Sequence, residues 1–148
     1  MYKKILCPID LKRKSDKAFE HAVRLAHQFH SEIVLLNIND EFQTKEDMIM
    51  SRVSIDQINN RYRDIALKAR LELDQLKENL ETEDISISVL LRKGTPGDVI
   101  LDVCNEISAD LIVLGANGKD SLSDYFLGTT ASHVVDQSKV PILTISLS

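Results

Sequence analysis

The chain has 148 residues, 43% hydrophobic and 28% charged, with a formal net charge of −5 and a pI near 5.3. That size and balance fit one soluble domain, residues 1–148, able to bury a core without cross-links. The acidic charge excludes a general nucleic-acid binder, which needs clustered Lys and Arg, and no apolar run approaches the ~18 residues of a membrane span.

Residues 3–9, "KKILCPI", read as the first strand. The apolar run there is about five residues, shorter than the ~7–15 of a signal peptide, so the expected location is the cytoplasm. Cys7 lies in that run and Cys104 on a predicted helix, with no CxxC pair; both read as small buried hydrophobes in a reducing compartment. Ala18, Ala22, Leu25, Ala26 and Phe29 recur on one face of an amphipathic helix, with Ser15 as the expected N-cap. His27 and His30 share a face of that helix without a third ligand nearby, so they read as solvated or capping residues, and no metal is expected.

"EIVLLNIN", residues 32–39, reads as a strand buried on both faces. A second helix is marked by Ile55, Ile58, Tyr62, Ile65, Ala69, Leu73, Leu76 and Leu80. Residues 40–54 between them are polar, carry Met48 and Met50, and lack a clear period, as expected of an excursion or lid. Residues 85–92, "ISISVLLR", form the third strand, and "KGTPGDVILDVCNEI" then sets Pro96 and Asp98 at the start of a helix, where each is favoured. "ADLIVLGA" is the fourth strand, residues 129–138 a short helix, and residues 141–147, "PILTISL", the last strand.

Strict β/α alternation requires right-handed crossovers and a mostly parallel sheet with helices on both faces. In such open sheets ligands bind beyond the carboxyl ends of the strands, where the strand order reverses. Two of the loops there carry chemistry: Asp10 after the first strand, and Gly115, Gly118 and Gly128 after the fourth. Gly115 allows close approach to the backbone at a strand end, and Gly118 can turn the loop. Gly128 precedes a helix whose first N–H groups, with the Thr129 and Thr130 hydroxyls, suit an anion. Neither GxxxxGK[ST] nor GxGxxG is present. The basic run Lys12, Arg13 and Lys14 reads first as a solvated face, the alternative being that it faces the bound anion.

The spacing Gly115-x2-Gly118-x9-Gly128-Thr129 resembles in full the G-2x-G-9x-G-(S/T) signature of the ATP-binding branch of the universal stress protein family. "KKILCPID" is similar to that family's first strand and its aspartate, "KGTPGDVIL" to its G-x-P-x-x-x-I segment, and "VPILTI" to its closing strand. The resemblance implies a Rossmann-like α/β fold of the adenine nucleotide alpha hydrolase type. Its open, five-stranded parallel sheet has the order 3-2-1-4-5. It also implies ATP, with or without Mg2+, as the ligand. Asp10 would lie near adenine or ribose beside the backbone of Pro8 and Ile9, and Ile38 would meet adenine through its main chain. Leu114 and Gly115 would frame the ribose, Asn117 and Gly118 the phosphates, and Gly128, Thr129 and Thr130 would close the cradle. Two positions depart from the pattern: Asn117 stands where many members carry a basic residue, and Ala131 where a hydroxyl is frequent.

The function so implied is a nucleotide-gated stress-response regulator, with weak ATP hydrolysis or self-phosphorylation of Thr129, Thr130 or Ser132 as secondary activities and no dedicated catalytic residue. The alternative is a stress protein that acts by protein contacts without nucleotide. An adenylating enzyme would need an SGGxDS loop after the first strand, and a phosphoacceptor receiver would need acidic residues before Asp10; neither is present. The apolar last strand, residues 141–147, is an edge that calls for covering, and the resemblance implies an antiparallel homodimer through it.

Overall fold

The computed structural model describes residues 1–10, 16–38, 63–116 and 129–146. Within them lie five strands and four helices in strict alternation: β1 (Lys4–Pro8), α1 (Lys17–Phe29), β2 (Glu32–Ile38), α2 (Arg63–Lys77), β3 (Ile87–Arg92), α3 (Pro96–Ile107), β4 (Leu111–Ala116), α4 (Thr129–Gln137) and β5 (Ile142–Ser146). The strands pair in parallel in the order β3-β2-β1-β4-β5, the order the resemblance implies. The expected excursion at 40–54, the first part of the second helical pattern and the Lys12–Lys14 run lie outside the described residues.

Side-chain alternation along the strands builds two cores. Ile5 and Cys7 of β1 and Ile9 just after it, with Ile33 and Leu35 of β2, face Phe19, Ala22 and Ala26 of α1 and Ala69, Leu73 and Leu76 of α2. On the opposite face Leu6, Leu36, Leu90, Ile112 and Leu114 pack with Ile100 and Val103 of α3 and Ala131 and Val134 of α4. Phe19 is fully buried, a side chain whose removal from water contributes about 1.5–3 kcal/mol.

The helix ends show how local chemistry sets the boundaries. Asp16, not Ser15, is the N-cap of α1, accepting the Phe19 N–H at 2.9 Å; an aspartate serves this role as well as serine does. α1 and α3 end on His30 and Ser108, both in the left-handed region. His30 is exposed, and so is His27, whose Nε2 meets the Glu81 carbonyl. Both histidines therefore take the solvated and capping roles expected of them. Both cysteines are buried and unpaired.

Between β3 and α3 the chain turns through Gly94 at φ +144°, a conformation L side chains rarely adopt, and a Cβ there would lie 2.7 Å from Val99 Cγ2. Thr95 then opens α3 with Pro96 in the first turn, where the missing N–H of proline has no cost. Gly94→Ala is expected to lower the unfolding free energy by about 1–3 kcal/mol, the cost of forcing a side chain into such backbone. Urea denaturation checks this, and a variant as stable as the parent would show that the turn relaxes freely.

Candidate functional site at the switch point

Strand order reverses between β1 and β4, and the backbone explains where their pairing ends. Asp110 holds the two strands together at their start, its carboxylate accepting the N–H groups of Lys3 at 2.9 Å and Lys4 at 3.1 Å. The Asp110 N–H in turn donates to the Lys4 carbonyl at 3.0 Å. From there the register runs Ile5↔Leu111 and Leu6↔Ile112 and ends, while β1–β2 pairing continues to Pro8↔Leu36.

Along a strand successive residues aim their backbone groups to alternate sides. Lys4 bonds toward β4, whereas the Ile9 N–H donates to the Leu36 carbonyl of β2 at 3.0 Å. The nitrogen of Pro8 therefore faces β4, and proline has no N–H to give. The ladder toward β4 ends where that donor is missing.

Pro8, Ile9 and Asp10 leave the carboxyl end of β1 beside the end of that ladder, Ile9 buried and Asp10 exposed. Ile38 is half-buried at the last position of β2, opposite Arg92. Leu114 is buried among the residues facing α3 and α4, and the next residue, Gly115, is half-buried and paired with Ile145 of β5. Thr129, exposed, and Thr130, half-buried, are the first two residues of α4, whose first turn carries no acidic side chain. An anion meets no like charge from that turn, and its N–H groups lack intrahelical acceptors. The parallel topology thus gathers Pro8, Ile9, Asp10, Ile38, Leu114 and Gly115 at one end of the sheet. Asn117, Gly118 and Gly128 lie outside the described residues.

One residue at this end escaped the sequence reading. Asn37 donates its side-chain Nδ2 to the Ile9 carbonyl at 3.1 Å, so both backbone groups of Ile9 are anchored on β2 and the chain leaves toward Asp10 in a set direction. The available signal was a lone amide in the otherwise apolar run "IVLLNI". Arg92, also at this end, is 5% exposed and bonded through two nitrogens to Glu106 of α3, at 2.8 and 3.4 Å. That pair ties β3 to α3 and uses the guanidinium's fork geometry. Among the described residues no group of three His, Cys, Asp or Glu is set to hold a metal, and no helix is long and apolar enough to cross a membrane.

A model of the universal stress protein family matches residues 1–146. Universal stress protein MJ0577 of Methanocaldococcus jannaschii is 25% identical over 154 residues, covering 98% of this chain and 95% of that protein. Its solved structure superposes with a TM-score of 0.70 at 23% identity, covering 100% and 98% of the two chains. A universal stress protein solved in complex with cAMP gives a TM-score of 0.67 at 19% identity, covering 99% and 98%. One from Archaeoglobus fulgidus in complex with dAMP gives 0.60 at 17%, covering 97% and 98%.

Cys7, one residue before Pro8, bears on what this end of the sheet can do. Burial, with the Asp16 carboxylate adding to it, pushes its thiol well above the ordinary value. Burial and then Asp110 raise Cys104 as well. A thiol held neutral is a poor nucleophile, so native protein is expected to resist thiol reagents at neutral pH and to react on unfolding. Because the folded-state pKa is the higher one, the neutral thiol's contribution is complete below the unfolded value. It is lost as pH rises above about 8.5 toward the folded value. Urea unfolding at rising alkaline pH should show this decline, and Cys7→Ala should flatten it; equal slopes would place the alkaline loss elsewhere.

Proposed function

The chain belongs to the universal stress protein family, and from that premise we propose that it is an ATP-binding, nucleotide-gated regulator. The observation that carries the reading is the complete spacing Gly115-x2-Gly118-x9-Gly128-Thr129, which starts in β4 at the switch point and ends on the first residue of α4. The cAMP and dAMP complexes of structural neighbours support an adenine nucleotide as the ligand class.

In this reading Asp10 accepts hydrogen bonds from the ribose or base, beside the main chain of Pro8 and Ile9, and Ile38 offers its main chain to adenine. Leu114 and Gly115 frame the ribose. Asn117 and Gly118 meet the phosphates, and Gly128, Thr129 and Thr130 close on them with N–H groups and hydroxyls. Mg2+, where bound, would neutralise charge between the phosphates. Asn117 supplies a neutral contact, so the helix terminus carries most of the phosphate recognition. The residues favour binding and gating over turnover, and phosphorylation of Thr129, Thr130 or Ser132 is secondary.

Calorimetry with ATP, ADP and AMP tests this. Binding well below millimolar is expected, and Thr129→Ala with Thr130→Ala should weaken ATP about tenfold or more, the loss carried by hydrogen bonds to a charged group. No heat at millimolar nucleotide would favour the alternative, action through protein contacts alone.

We also propose a homodimer through residues 141–147. Of the two edge strands, β3 is covered along nearly its whole length, whereas no residue of β5 is fully buried and Leu143 is 37% exposed. An uncovered apolar edge invites a partner strand, and an identical β5 across a two-fold axis supplies one. Light scattering at micromolar concentration should give twice the 16.7 kDa chain mass, and Leu143→Lys should halve it. A monomeric parent protein would overturn the dimer.

A further inference from the structure

α4 is short and thinly anchored: of its nine residues Ala131 and Val134 are buried, and it packs more against α3 than against β4. What locates its first turn is therefore its seat on α3. There the His133 ring lies over Gly97, the second residue of α3 (Pro96–Ile107), where a Cβ would come within 2.5 Å of the ring Cδ2. The ring Nε2–H donates to Asp98 Oδ1 at 3.0 Å. Asp98 sits in the first turn of α3, behind the N-cap Thr95, which makes no side-chain capping bond. His133 follows Thr129 by four residues, so the two share a face of α4 on consecutive turns.

A pair 43% and 64% exposed contributes little to global stability. Its leverage is local, because it fixes a helix with few other anchors. We propose that His133, seated on Gly97 and bonded to Asp98, is a positioning residue that sets the first turn of α4. Resting on the nucleotide-binding reading above, this makes affinity for the phosphate end of the ligand depend on the α3–α4 contact.

Amide exchange at Val134 and Val135 in the free protein, whose N–H groups bond back to the first-turn carbonyls of Thr130 and Ala131, together with affinities for ATP and for adenosine, tests the proposal. His133→Ala should speed exchange at both amides and weaken ATP about threefold to tenfold, the range of one modest hydrogen bond, with adenosine unchanged. His133→Gln, whose amide nitrogen reaches about where Nε2 sits, should recover both. Gly97→Ala alone should behave as His133→Ala does. In the His133→Ala background it should add nothing, because its methyl enters the space the ring left.

Unchanged exchange in His133→Ala, equal losses for ATP and adenosine, or failure of glutamine to rescue would each overturn the role. A parent protein that binds no ATP overturns the nucleotide reading instead, and the exchange rates alone then decide the contact.

Discussion

Asp110 accepts the N–H groups of both Lys3 and Lys4, and through this carboxylate β1 is held beside β4, on the opposite side from β2. The place where these two strands join and part depends on it. β1 and β4 are joined at their start by Asp110 and released at their end by Pro8, whose nitrogen faces β4 with no hydrogen to donate. A central strand of a parallel sheet normally spends every backbone donor on its neighbours. Here one donor is removed by covalent chemistry, at the one place in the sheet where the strand order turns back.

The two sides of this switch point are held by different means. On the β2 side the chain is anchored through Ile9, with its N–H on Leu36 and its carbonyl on the Asn37 amide. These bonds lie within one rigid sheet. On the β4 side stands α4, a nine-residue helix that leans on α3. In the proposed nucleotide-gated reading, one wall in the sheet and the other on a lightly packed helix would let the site respond to occupancy with little disturbance of the core.

Much of the architecture was legible in the residues. Period-two and near-3.6 patterns located most ends of the described elements to within a residue or two, because burial on two helix-covered faces demands those repeats. β3 begins at Ile87 although "ISIS" alternates from Ile85, and α2 ends at Lys77, three residues short of the Leu80 to which its apolar pattern runs. The helix ends were less legible, since α1 and α3 close on His30 and Ser108 in left-handed backbone where sequence signals lead one to expect glycine or asparagine. The N-cap of α1 was displaced from Ser15 to Asp16 because adjacent capping residues are nearly equivalent in chemistry.

By itself, then, the sequence determined the alternation of elements, the two-faced core, the glycine spacing after β4 and the family to which the chain belongs. These are set by local periodicity and by residues whose backbone freedom is written in their side chains. Tertiary structure alone decided that Asn37 anchors the Ile9 carbonyl, that Arg92 is buried on Glu106, and that His133 rests on Gly97 beside Asp98. Each of these joins residues on different elements, and which pairs meet depends on strand register and helix packing, quantities that no local pattern encodes.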